Sequence, residues 1–183
     1  MMDSNGKSIN FGRLYKRPLV VPTFTVEQAE EFAGRARLTN PEGVLIHVGV
    51  NDIANGAEPE ELAEKIVNLA VRAAEHFRCP AYVSAITPLR HCMQKVRQCN
   101  ALMKEKSSAH ISLTFIENNN ITEEELADDR HLRSEGPAGA VTPRDKLVFN
   151  FVKATLQTEL TVGQVQDTWR DWRAINMRRR GGF

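Results

Sequence analysis

The chain has 183 residues, 42% of them hydrophobic, enough for one domain that buries a core without disulfides or metals. Its 24 Lys and Arg against 23 Asp and Glu leave a net charge of +1, which excludes a global field favouring nucleic acid or membrane. The three cysteines, Cys79, Cys92 and Cys99, form no C-x-x-C pair, and no apolar run approaches a membrane span or a secretion signal, so a soluble, intracellular, cytoplasmic protein is expected.

The first residues, Met1 to Lys7, are turn-forming, and Leu14 to Val21 has strand character in its tail Leu19-Val20-Val21. Thr25 followed by Gln28 is a capping-box pattern that predicts a helix over about 26–36. The turn signal Asn40-Pro41-Glu42-Gly43 leads into an apolar run, Val44 to Val48, that breaks into Gly49-Val50-Asn51-Asp52. This reads as a buried strand holding Asn51 and Asp52 at its carboxyl edge, where open α/β sheets bind ligands. Capping of the following segment is the plainer role for the same two residues.

Pro59 opens a long amphipathic helix with Leu62, Ile66, Leu69, Ala70, Ala73 and Phe77 on one stripe. Ala81 to Ile86 predicts a second central strand, Cys92, Val96, Cys99 and Met103 mark another helix, and Ile111 to Ile116 another strand. Thr142-Pro143 starts a last helix carrying Leu147, Val148, Phe151, Val152 and Leu156. The alternation implies a mostly parallel sheet with helices on both faces. Residues 1–157 are expected to form one domain, and 158–183 a basic appendix ending in Trp169-Arg170-Asp171-Trp172-Arg173 and Arg178-Arg179-Arg180. That tail is either a docked helix with a frayed end or a surface for nucleic-acid bases and phosphates.

Asp128-Asp129-Arg130-His131 lies between the last strand and the last helix, hence also at the carboxyl edge. A carboxylate three residues before a histidine can fold back onto Nδ1 and leave Nε2 as a general base. With Ser4 in an Asp-Ser-Asn-Gly turn, the three make a hydrolytic triad, and Asn51 supplies an amide to the oxyanion. Taken singly, each residue is more ordinary: a turn serine, a surface ion pair. His47 reads as a core histidine, and His76, His91 and His110 show no metal spacing.

Beyond what spacing alone establishes, the chain resembles the SGNH hydrolases, the GDSL-type lipases and esterases, and more narrowly the esterase-like domains of some retrotransposon-encoded and uncharacterised animal proteins. Gly49-Val50-Asn51-Asp52 is similar to the family's G-x-N-D block, Asp128 with His131 to its D-x-x-H block, and Asp3-Ser4 to the end of G-D-S. The resemblance implies a flavodoxin-like three-layer α/β/α sandwich and serine-type hydrolysis of a small ester without metal or cofactor. It assigns Ser4 as nucleophile, Asp128 and His131 as its partners, and Asn51 and Gly49 to the oxyanion hole. Met2 stands where the pattern has glycine, and Pro22-Thr23-Phe24-Thr25 stands where a second oxyanion glycine belongs; with no residue ahead of Met1 to form it, the family's first strand is expected to be missing. The alternative is an SGNH-like module without catalysis that binds RNA or protein.

Overall fold

The computed structural model describes residues 1–3, 21–133 and 142–155. Ser4, most of the 14–21 segment and the 158–183 appendix lie outside the described residues. The elements in order are α1 (Val26–Arg35), β1 (Val44–Ile46), α2 (Val50–Ala54), α3 (Pro59–Phe77), β2 (Ala81–Ser84), α4 (Met93–Ser108), β3 (Leu113–Ile116) and α5 (Pro143–Thr155).

The three strands pair in parallel in the order β1, β2, β3, with Val44 opposite Ala81 and Ala81 opposite Leu113. No strand is assigned ahead of β1 among the described residues, yet the position beside it is filled. Met2 bridges in parallel to His47 on one side and to Pro22 on the other. The bonds are short: His47 N–H donates to Met1 O at 2.8 Å, Asp3 N–H to His47 O at 2.8 Å, and Thr23 N–H to Met2 O at 2.9 Å. The spatial order is therefore the Pro22 segment, Met1 to Asp3, β1, β2, β3. Chain order reverses between Met1 to Asp3 and β1, the kind of switch point at whose carboxyl ends open α/β sheets bind ligands.

Alternation along the strands sends side chains to two cores. Val44 and Ile46 of β1 with Ala81 and Val83 of β2 face α1, α3 and α4, where Ile66, Leu69, Val96 and Met103 are buried. On the other face Tyr82, Ile116, Leu126 and Leu132 pack with Leu147 and Phe151 of α5. The helices thus cover both faces of the sheet in three layers. The stripe expected on the Pro59 helix is buried throughout, and truncating one member such as Ile66 to alanine costs about 2–5 kcal/mol.

β2 stops earlier than its apolar run because side chains compete there for the backbone. The Ile86 N–H donates to Asn100 Oδ1 at 2.8 Å and Asn100 Nδ2 donates to Ile86 O at 3.0 Å, while Asn118 Nδ2 takes the Ala85 carbonyl at 2.7 Å. Ile111, placed in a strand by its apolarity, lies before β3 and is fully exposed. The α1 start follows the capping pattern: Thr25 Oγ1 accepts from Gln28 N–H at 3.4 Å. Among the described residues, no helix is long and apolar enough to cross a membrane.

Candidate active site

The Asp128 loop is a tight, well-anchored turn. Leu126 and Leu132 bridge in antiparallel fashion, and both are buried, at 1% and 0% exposure. Between them Ala127 N–H donates to His131 O at 2.7 Å, so the intervening residues loop out toward solvent. The loop is braced from the β2 side, where Arg90 N–H donates to Asp129 O at 2.9 Å and His91 Nε2 lies 3.2 Å from Asp129 Oδ1.

Within that turn the expected fold-back is present. His131 Nδ1 and Asp128 Oδ2 are 2.7 Å apart, with the side chains 43% and 58% exposed. Asp128 Oδ1 accepts from the N–H groups of Arg130 at 2.9 Å and His131 at 2.8 Å. Those two amides, and then the imidazole, hold the carboxyl well below the usual carboxylate range. An ionised Asp128 at Nδ1 selects the tautomer with hydrogen on Nδ1 and leaves Nε2 with its lone pair.

The G-x-N-D block reaches the same edge by a turn only glycine makes easily. Gly49 precedes α2 with φ of 118°, and a Cβ there would meet Ile86 Cδ1 at 2.7 Å and Ile66 Cδ1 at 3.1 Å. Two residues on, Asn51 Nδ2 donates to Phe24 O at 2.8 Å, and its Oδ1 accepts from Arg130 Nη1 at 3.2 Å. The two blocks, 79 residues apart in sequence, thus touch through a residue standing between Asp128 and His131.

Asp52 does cap a helix, though not the one it lies in. Its carboxylate accepts from Val26 N–H, with both oxygens at 3.3 Å, and so closes the amino end of α1. Burial raises its pKa against the pull of that amide.

Asp3, directly before Ser4 in sequence, is buried at 2% exposure beside His47 at 0%. His47 Nδ1 is 2.9 Å from Ser84 Oγ, which in turn accepts from Asn118 Nδ2 at 2.9 Å. Nε2 lies 3.7 Å from Asp3 Oδ1, too far for a hydrogen bond, and makes none. The attraction of Asp3 raises the His47 pKa, but desolvation is larger and lowers it, so His47 is neutral and the contact is a dipole facing a carboxyl rather than an ion pair. The histidine read as core is therefore core, within a polar seam that the sequence did not reveal.

Among the described residues, no group of three His, Cys, Asp or Glu side chains is placed to hold a metal ion. Cys99 is buried, which pushes its thiol up to about 12 and leaves it a packing group. Two residues escaped the sequence reading. Arg130 was visible only as a spacer within D-x-x-H, and Phe24, 46% exposed, only as the absence of a glycine.

No family model and no curated protein matches the sequence. Solved structures do. A Streptococcus pneumonia protein proposed to be a platelet activating factor superposes with a TM-score of 0.68 at 14% identity, over 84% of this chain and 80% of its own. A member of the lipolytic protein G-D-S-L family from Veillonella parvula gives 0.59 at 16% identity, over 86% and 96%. This chain has the SGNH hydrolase fold. A family 3 carbohydrate esterase from Clostridium thermocellum gives 0.55 at 18% identity, over 73% and 66%, so the same fold carries hydrolases of different ester classes.

Proposed function

We propose that the chain is a serine hydrolase of SGNH type that cleaves a small acyl ester. The observation that carries this reading is the 2.7 Å contact of His131 with an ionised, amide-held Asp128 at the switch-point edge, tied through Arg130 to Asn51. Ser4 is the nucleophile. Its hydroxyl attacks the ester carbonyl as His131 Nε2 takes the proton, and the oxyanion is met by an Asn51 Nδ2 hydrogen. His131 then gives the proton to the departing alcohol. Water, deprotonated in turn by His131, frees the acid from the acyl-serine and restores the hydroxyl.

Asp128 holds the imidazole and stabilises its cation, and Gly49 sets the turn that delivers Asn51. The carbohydrate esterase of the same fold supports a small ester as the substrate class. A fluorophosphonate serine probe on the full chain tests the reading: Ser4 is labelled, and Ser4→Ala loses both the label and turnover of a short-chain aryl ester. A folded chain with no label and no turnover overturns it.

A further inference from the structure

An asparagine used as an oxyanion donor has an intrinsic ambiguity. Its amide presents N–H on one side and a carbonyl on the other, and a half-turn about the terminal torsion would aim a lone pair at the developing negative charge. Two contacts on opposite ends of the Asn51 amide resolve it. Nδ2 donates to the Phe24 carbonyl at 2.8 Å, and Oδ1 accepts from Arg130 at 3.2 Å. A flipped amide would set oxygen against the Phe24 carbonyl and N–H against the guanidinium, so both contacts would fail together.

The two anchors are themselves held. Phe24 N–H donates to Gln28 Oε1 at 2.8 Å, on the first turn of α1. Arg130 is half-buried in the loop pinned by Leu126 and Leu132, and its own N–H is bonded to Asp128 Oδ1 at 2.9 Å. We propose that Arg130 is a positioning residue that locks the Asn51 amide with Nδ2 toward the acyl oxygen. This rests on the esterase reading above. The Phe24 carbonyl uses one Nδ2 hydrogen and leaves the second for substrate. A guanidinium on Oδ1 also draws electron density along the amide and makes that second N–H a stronger donor. Through one contact the loop bearing the base and the helix bearing the oxyanion donor move as a unit.

The test reads the Asn51 side-chain amide directly, in proton–nitrogen spectra of the full chain, with the signal assigned by its loss in Asn51→Asp. In the native chain the two Nδ2 protons are shifted apart and protected. In Arg130→Met they converge toward free-amide positions and exchange faster with solvent. Arg130→Lys, which keeps the charge but not the planar fork, gives an intermediate shift and supplies the comparison if the methionine variant does not fold. In turnover, Arg130→Met lowers kcat by about tenfold, as loss of one charge-assisted hydrogen bond does, and leaves KM within about twofold. In an Asn51→Ala background the same change has no further effect. An Asn51 signal unmoved in the Arg130 variants overturns the inference whether or not the chain is active. A moved signal in a chain that neither labels nor hydrolyses overturns the esterase reading and upholds the positioning role.

Discussion

Of the histidine–aspartate pairs among the described residues, His131–Asp128 and His47–Asp3 differ in almost every physical respect. His131 and Asp128 are 2.7 Å apart and about half exposed, on a loop at the sheet edge. His47 and Asp3 are 3.7 Å apart, each with 1% of its side chain exposed, between the sheet and Phe151 of α5. A general base has to gain and lose a proton within each turnover, which requires a charged form the surroundings tolerate and a route to solvent. The exposed pair has the route to solvent. In the buried pair desolvation overrides the attraction of Asp3, so the imidazole stays neutral and its ring serves packing and the Ser84–Asn118 seam. Shared residue chemistry yields two roles because burial decides which proton can move.

Substitution of the two histidines sets the comparison most sharply. His131→Ala should lower kcat for a short-chain ester by roughly 10⁴-fold or more while the melting temperature barely changes. His47→Ala should do the reverse. Removing a fully buried ring, and with it one of the Ser84 contacts, costs about 2–4 kcal/mol of stability, and the molecules that stay folded keep their turnover. Equal losses of activity in the two variants, measured on samples matched for folded fraction, would erase the distinction. Asp128→Asn comes next: it keeps the shape but no longer selects the Nδ1 hydrogen, and turnover should fall by about 10²–10⁴-fold. Asn51→Ala should lower kcat by about 10²–10³-fold, the worth of one oxyanion donor, and leave the melting curve near that of the native chain.

The exposed pair was legible in the sequence and the buried one was not, for a physical reason. Asp128 and His131 are three residues apart, so a single turn brings them together and local geometry suffices. His47 meets Asp3, Ser84 and Asn118 only after the sheet has assembled, and its apolar neighbours in sequence said nothing beyond burial. Helices followed the same rule: the 3.6-residue stripe and the proline start foretold α3 from Pro59 to Phe77. The end of β2 did not, since Asn100 and Asn118 reach in from distant elements to take the Ala85 and Ile86 backbone. The inner position beside β1 also escaped pattern reading, because Met1 to Asp3 is too short to show alternation. Ser4 follows it outside the described residues, so the nucleophile assignment remains a sequence argument joined to a structural edge.

The smallest expected effect separates the two pairs by the pH at which each acts. The folded chain holds His47 below the ordinary histidine value of about 6.5, so over the interval beneath that value the unfolded chain binds a proton the folded chain refuses. Its contribution to stability is complete above about pH 6.5 and declines as acid is added below it. Asp128 is depressed relative to an ordinary carboxyl of about 3.9, so its contribution is complete above that value and is lost only as pH falls further. Because Asp128 is exposed, solvent screening keeps its share small. Urea midpoints at pH 7.5, 5.5 and 3.5 should therefore fall in two stages. His47→Gln shrinks the first stage, to which the buried Met1 amino group, pushed down to about 5, also contributes, and Asp128→Asn trims only the second. A first stage undiminished in His47→Gln would mean that the buried ring accepts its proton without penalty, and the contrast drawn between the two histidines would fail at its root.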